Sequence, residues 1–366
     1  MKESGVEAQN LRVGLIGPLP PPAGGMANQT RQLKELLERE GVTVALVQVN
    51  PPCRPAWIGR IRGLRAVFRL IPYLAALWRC AGQVSLFHVM ANSGWAWHLF
   101  AAPAVWIARL RGIPAVVNYR GGEAQGFLSR SRRWVVPTLL RASAVIVPSG
   151  FLRDVFAPFG VHARVVPNVV DLTRFRPAVL SGGQCIPRVV VARNLEPIYD
   201  VATAIRAFSS VRRAVPGVLM TIAGTGPERR RLEMLARQLG LAEAVTFAGR
   251  LDRDGMAELY RSASVMVNSS LVDNTPNSIL EALASGVPVV STRVGGVPYL
   301  VADEVTALLV PPGDAEAMSV AVVRVLQDRV LTDSLRQAGL LEVRRYAWQS
   351  VRSDLLDLYA WTLETP

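Results

Sequence analysis

The sequence predicts an α/β protein of two domains, each a parallel sheet with helices on both faces. Three observations predict it. At 366 residues the chain exceeds what one hydrophobic core usually fills. Half of its residues are hydrophobic, enough for two cores. Short β-branched runs alternate with longer helical patterns, and that alternation restarts after a stretch rich in Gly and Pro.

In the first half the order is "RVGLIG", a helical pattern from Met26 to Glu40, "VTVALVQV", and an Arg-rich helix over residues 60–79. "SLFHVM", an apolar helix over residues 95–108, "IPAVVNYRGG" and "ASAVIVPSG" follow. A linker is expected near residues 168–187, through "AVLSGGQCIP". The second half reads "RVVVARN", a helix from about Val201, "LMTIAG", a helix over 227–239, "VTFAGR" and a helix over 254–262. It closes with "SVMVNSS", a helix containing Glu281, and "VPVVST". The expected domains are therefore 1–168 and 169–346, with residues 347–366 as a closing segment.

Ligands of such sheets gather at the C-terminal ends of the strands, and two sheets create a cleft between domains. Glycines fall at those ends. In "GPLPPPAGGMANQT", Gly24 and Gly25 permit close backbone approach before a helix starting near Met26. "AGTGPE" and "TRVGGVP" give further turns at strand ends. The Gly24-Gly25 stretch lacks the spacing of a dinucleotide or Walker-type phosphate loop.

The net charge of +13 is unevenly placed. Residues 1–168 carry 20 Lys+Arg against 7 Asp+Glu, whereas residues 169–366 carry 21 of each. One half is thus suited to an anionic surface, and membrane or nucleic acid would serve. The arginines are not interleaved with any nucleic-acid reading motif, so no nucleic-acid partner is expected. "RIRGLRAVFRLIPYLAALWR", residues 60–79, mixes Arg60, Arg62, Arg65 and Arg69 with Ile61, Leu64, Val67, Phe68, Ile71 and Trp78. It suits a helix lying on a membrane interface, and equally an amphipathic helix packed on its own domain. "WAWHLFAAPAVWIA", residues 95–108, is too short to span a bilayer and reads as a buried core helix. Cys53, Cys80 and Cys185 show no pairing or metal-ligand spacing, and the opening "MKESGVEAQNLR" is too polar for a signal peptide. A cytoplasmic protein, peripheral to the inner face of the membrane, is expected.

"DNTPNSILEALASGVPVVST", residues 273–292, sets Asp273 and Glu281 eight positions apart. Pro276 suits a helix start, which leaves Asp273 on a loop and Glu281 inside the helix. Asn277 and Ser278 then occupy the first turn, a ready seat for an anion. In "LDRDG", residues 251–255, the Asp-x-Asp pattern could bind a metal, but Asp254 reads as a helix cap and no metal or cofactor is predicted.

Taken together these stretches resemble the family 4 retaining glycosyltransferases of the GT-B fold. The likeness is carried by Gly24-Gly25, "VPSGFL", "VVPNVVDLTRFRP", "AGTGPE", the acid-seven-acid element, "SGVPVVSTRVGGVP" and "RRYAWQSVRSDLLDLY". It implies two Rossmann-like domains with parallel sheets facing a central cleft. The first would bind the acceptor and the second a nucleotide diphosphate sugar, with a final helix, about residues 347–364, crossing back onto the first domain. Glu281 matches the acid that bonds the ribose hydroxyls. Asp273 matches the acid, usually Glu, that faces the donor sugar, and Arg193 matches a cation on the diphosphate. The implied donor site takes in Gly24, Gly25, Gly224, Gly226, Arg250, Asn274, Thr275, Pro276, Asn277 and Ser278. The implied acceptor site takes in Arg120, Gly121, Gly122 and Glu123.

Two departures stand out. Family members usually follow Arg-x-Leu with a diphosphate-binding lysine, where this chain has Ile198 and Tyr199, and the second half contains no lysine. Many place a histidine near the acceptor, where this chain has Arg120. The family's reaction is usually written as front-face displacement, with the departing phosphate taking the acceptor's proton, so no separate base is required. The resemblance implies a lipid-linked saccharide acceptor in exopolysaccharide or cell-envelope synthesis. The alternative is a nucleotide-sugar-binding or scaffolding subunit of the same fold without turnover.

Overall fold

The computed structural model describes residues 11–21, 24–51, 62–178 and 186–365, with the backbone alone described for 62–68. It divides into two compact units, residues 1–168 with 351–366, and residues 169–350. Arg60, Ile61, Cys53 and Cys185 lie outside the described residues, as do the side chains of Arg62, Leu64, Arg65, Val67 and Phe68.

The first unit alternates β1 (Arg12–Gly17), α1 (Gly25–Arg39), β2 (Thr43–Gln48), α2 (Arg62–Ala81) and β3 (Leu86–Ala91). It continues with α3 (Ala102–Leu110), β4 (Ala115–Tyr119), α4 (Ala124–Leu139), β5 (Ala144–Val147), α5 (Gly150–Phe156) and β6 (Ala163–Val165). Its six strands are parallel in the order β2-β1-β3-β4-β5-β6.

The second unit follows with β7 (Arg188–Ala192), α6 (Val201–Ala214), β8 (Leu219–Ala223), α7 (Arg229–Gln238), β9 (Val245–Gly249) and α8 (Arg253–Arg261). Then come β10 (Val265–Asn268), α9 (Asn277–Ala284), β11 (Val289–Thr292), α10 (Val297–Leu300), β12 (Leu308–Val310), α11 (Ala315–Gln327) and α12 (Arg329–Glu342). Its parallel order is β12-β11-β10-β7-β8-β9. This is the doubly wound arrangement, reversing direction between β7 and β10.

The uninterrupted β-branched runs follow from burial on both faces. In β7, Val189 and Val191 enter one core with α6 and α11, while Val190 enters the opposite core with α8 and α9. Met266 and Val267 of β10 divide the same way.

The closing helix α13 (Trp348–Glu364) is fastened to the first unit by specific contacts. Tyr359 Oη lies 2.7 Å from His88 Nδ1, Arg352 Nη1 is 3.1 Å from Glu40 Oε2, and Arg164 Cζ sits 4.2 Å from the centre of the Trp361 ring.

Two sequence expectations are corrected. The segment 95–108 is not buried all round: Trp97 is buried, but Trp95 and Trp106 are exposed. One face of the helix packs on β3 and β4, and the other lies at the surface of the unit, where Trp106 meets solvent. The cap of α8 is Asp252, whose carboxylate accepts the Gly255 N–H at 2.8 Å. Asp254 falls in the first turn and takes Arg174 Nη1 at 2.6 Å instead. Capping favours the residue whose side chain reaches back over the first turn.

Candidate active site

The polar residues of the second unit converge where its strand order reverses. Arg193 is the first residue past β7, Asn268 ends β10, and Asp273 lies on the loop leading to α9. The Arg193 guanidinium donates from Nε to Asn268 Oδ1 at 2.9 Å and from Nη2 to Asp273 Oδ2. The Tyr199 ring stands 5.1 Å from its Cζ. Only 11% of the Arg193 side chain and 10% of the Asp273 side chain are exposed, so this pair is far from the solvated ion pairs that contribute little. Ser270 Oγ donates to Asn268 Oδ1 at 2.8 Å and to Asp273 Oδ2 at 3.2 Å, and Asn268 Nδ2 donates to Ser291 Oγ at 2.9 Å. Arg193 Nη1 keeps no protein partner among the described residues.

Two glycine turns hold the two halves of this pair from behind. Arg193 N donates to Ala223 O and Leu195 N to Thr225 O, both at 3.0 Å. A Cβ on Gly224, at φ 147°, would stand 1.8 Å from the Arg193 carbonyl oxygen, and one on Gly226 would stand 2.2 Å from that of Leu195. On the other side Gly296 N donates to Asp273 O at 3.0 Å, and a Cβ on Gly295, at φ 50°, would stand 2.0 Å from the same oxygen. The glycines of "AGTGPE" and "TRVGGVP" are therefore required by packing against Arg193 and Asp273.

Helix α9 begins with Pro276 as its cap, at ψ 109°, without a side-chain cap and without an acid in its first turn. A helix start without an acid in its first turn suits an anion. The buried Ser278 hydroxyl in that turn has no partner among the described residues. Just before and at this helix start Asn274 is buried and Thr275 and Asn277 are half-buried. Glu281 lies one turn further in, with Tyr260 Oη donating to its Oε2 at 3.4 Å. Burial pushes the Glu281 carboxyl up to about 7, with nearby Arg253 and Arg193 and the Tyr260 bond pulling the other way. Arg250 is exposed just past β9 and has no side-chain partner among the described residues.

The first unit brings together a different set. Arg120, the first residue past β4, donates from Nε to Asn118 Oδ1 at 3.0 Å and from Nη1 to Gln29 Oε1 at 3.2 Å and to Asn168 Oδ1. All three acceptors are neutral amides, and no carboxylate pairs with this arginine among the described residues. Burial lowers its guanidinium to about 10, which leaves it charged at neutral pH. Its Nη2 is unpartnered among the described residues, and the charge is uncompensated. Asn118 Nδ2 donates to His88 Nε2 at 3.0 Å, so His88 carries its proton on Nδ1, toward Tyr359. Burial, and then Arg120, hold the His88 ring neutral, with its value lowered to about 3. Gly121 is tightly packed, a Cβ there standing 2.4 Å from Ser93 Oγ, whereas Gly122 and Glu123 are exposed. Gly24 and Gly25 face open space, where a Cβ would meet nothing within 4 Å.

Sequence reasoning noted Tyr199 only as a departure from the family's lysine, and it missed Asn268, Gln29, Asn118 and Asn168. Asn118 and Asn268 had a signal: each is a polar residue at the C-terminal end of an apolar strand, where ligands gather.

Comparison with known proteins agrees with this architecture. The family described as Glycosyltransferase Family 4 matches residues 23–174, and that described as Glycosyl transferases group 1 matches residues 186–328. A D-inositol 3-phosphate glycosyltransferase of Saccharomonospora viridis is 31% identical over 54% of this chain and 49% of its own length. The chain thus spans about half of that relative. A phosphatidyl-myo-inositol mannosyltransferase of Mycobacterium leprae is 25% identical over 95% of this chain and 96% of its own. The structure of Anabaena HepE in complex with UDP and glucose superposes with a TM-score of 0.73 at 17% identity, covering 96% of this chain and 100% of that one. The chain belongs to the family 4 glycosyltransferases of the GT-B fold.

Proposed function

We propose that the protein transfers a sugar, with retention of configuration and without a metal, from a nucleotide diphosphate sugar to a hydroxyl of a lipid-linked saccharide acceptor. The acceptor would belong to exopolysaccharide or cell-envelope synthesis, and the enzyme would work in the cytoplasm at the inner membrane face. The observation that carries this reading is the Arg193 guanidinium, fixed by Asn268, Asp273 and Tyr199 with Nη1 left open, ahead of a helix start that holds an unpartnered Ser278 hydroxyl.

In the transfer, the bond from the anomeric carbon to the diphosphate oxygen breaks as the acceptor oxygen bonds to that carbon from the same face. The acceptor's proton passes to the departing phosphate. Negative charge grows on the diphosphate, so a preorganised cation and helix start act mainly on the transition state. Arg193 and the first turn of α9 supply both. Glu281 accepts the ribose hydroxyls. Asp273 aims its carboxylate at Arg193 and at its own following N–H, so its part is to position the cation. Tyr199, at the family's lysine position, braces that cation from its side.

Arg120 supports an acceptor that bears an anion, because a half-buried guanidinium met only by neutral amides is completed by a negative group. The two relatives' names specify inositol 3-phosphate and phosphatidyl-myo-inositol, both phosphate-bearing, and HepE was crystallised with UDP. Incubation with labelled nucleotide sugars and polyprenyl-diphosphate saccharides tests the reading. The expected product keeps the donor's anomeric configuration by NMR, and an inverted product would contradict the reading.

A second reading, a nucleotide-sugar-binding subunit without turnover, is favoured by one observation: Asp273 already neutralises part of the Arg193 charge. Thermal stabilisation by a nucleotide sugar, about 2.7 kcal/mol at 100 times its Kd, with no product from any acceptor would select it.

A further inference from the structure

Between Gly41 and Arg153 the chain has 14 arginines and a single acid, Glu123. Helices α2, α3 and α4 contain no acidic residue at all. Each presents one exposed tryptophan: Trp78 at 48% exposure, Trp106 at 41% and Trp134 at 76%. Side-chain contacts join the three helices into one surface. The Arg111 guanidinium lies 4.8 Å from the Trp78 ring centre, linking α2 to the end of α3. Arg141 lies 4.9 Å from the Trp106 ring centre, and Trp106 Nε1 donates to Thr138 Oγ1 at 3.2 Å, linking α3 to α4. Thr138 Oγ1 in turn donates to Trp134 O at 3.1 Å. Leu110, 74% exposed, stands one turn from Trp106. Arg79, Arg109, Arg130, Arg132 and Arg133 are exposed around this surface and form no ion pair with described residues.

Ordinary solvated surfaces mix both signs of charge and leave few tryptophans in water. Every exposed tryptophan among the described residues belongs to the first unit, although the second unit carries nearly as many basic residues. Tryptophan rings and arginine side chains share one preferred medium, the headgroup level of a bilayer, where a ring buries its apolar body and a guanidinium meets lipid phosphate. We propose that the Trp78–Trp106–Trp134 face is the surface by which the protein docks on anionic lipid. It replaces the single Arg-rich helix as the contact: Tyr73, Leu77 and Cys80 of α2 are buried in the first unit, and the Arg69 Nε atom is buried too. No helix among the described residues is long and apolar enough to cross a membrane, so attachment by this face is peripheral. The inference rests on the proposed lipid-linked acceptor for its purpose, but its test does not depend on turnover.

The experiment is sedimentation of the full chain with phosphatidylcholine vesicles and with vesicles that also contain phosphatidylglycerol, with brominated acyl chains to quench inserted tryptophan. Wild-type protein should bind only the anionic vesicles, with quenched fluorescence. Arg109→Gln and Arg133→Gln should each weaken partitioning about fivefold. Trp106→Ala with Trp134→Ala should remove most of the quenching. Arg237→Gln and Arg329→Gln, the same charge changes in the second unit, should each leave binding unchanged. The proposal is overturned if anionic vesicles do not bind, if both pairs of arginine variants behave alike, or if duplex DNA at equal salt competes the vesicles away. Vesicle binding without transfer to a lipid-linked acceptor would remove the functional reading and leave this surface in place.

Discussion

The two units share a plan and treat charge in opposite ways. Both carry six parallel strands, and both place an arginine as the first residue past a central strand, Arg120 after β4 and Arg193 after β7. In the second unit that arginine is held by a carboxylate, and the unit's surface is laced with ion pairs such as Arg324 with Glu304 and Arg293 with Asp303. In the first unit it is held by three amides, and the stretch from Gly41 to Arg153 carries 14 arginines against one acid. An arginine neutralised at one edge is a fixed tool with one open donor, and an arginine left charged calls for an anionic ligand. The difference teaches that one fold, used twice in a chain, can be specialised by the partner given to a single cation.

The largest expected effect concerns the neutralised arginine. Arg193→Ala should lower kcat by about 10²–10³, as when one preorganised oxyanion donor is removed, and Arg193→Lys should recover only part because an ammonium cannot bond Asn268, Asp273 and phosphate in one plane. Steady-state turnover at saturating donor measures it. The glycines sharpen the contrast next. Gly224→Ala should destabilise the protein by about 2–4 kcal/mol in denaturant unfolding, since the Arg193 carbonyl leaves no room. Gly24→Ala, with open space and an extended φ of −157°, should cost under about 1 kcal/mol while raising a substrate KM.

For the charged arginine, Arg120→Gln should raise KM about 10–100-fold for a phosphate-bearing acceptor and much less for a neutral analogue. Equal losses for both acceptors would mean that Arg120 only supports its amide neighbours. The smallest effect is a pH dependence. Burial raises Glu281 to about 7, so the free protein holds this carboxyl protonated below that pH, and hydroxyl donors favour the ionised form. Donor KM should therefore rise as pH falls below about 7, and Glu281→Gln should start with a higher KM and flatten that rise. The His88 ring bears on stability with its own sign. Its folded value lies below the unfolded one, so its contribution is present above pH 6.5 and is lost as pH falls toward 3.

Much of the fold was legible because strands buried on both faces must be apolar throughout, as in "VVV" of β7 and "VMV" of β10. Asp273 and Glu281 were legible as positions, from their spacing and from the loop-to-helix change at Pro276, and Arg193 only through the family resemblance. Their mutual geometry was not. Glu196 lies nearest to Arg193 among the acids in sequence, yet its carboxylate takes Asn194 Nδ2 at 3.3 Å while Arg193 reaches Asp273, 80 residues on. Pairing at that range is set by which strands lie side by side, and no local pattern reports it. The tryptophan face was hidden for another reason. Apolar periodicity counts Trp106 as core and leaves Trp78 open between core and surface, and only the packed helices reveal which ring faces out.

The central claim is that one braced arginine replaces the family's arginine–lysine pair on the diphosphate, with Asp273 acting through it. A double-mutant cycle of Arg193→Ala and Asp273→Asn, read as kcat at saturating donor, tests this most directly. If Asp273 serves only to position Arg193, the double variant should be no slower than Arg193→Ala alone. If the two losses multiply, Asp273 acts on the donor independently of the arginine, and the account is wrong.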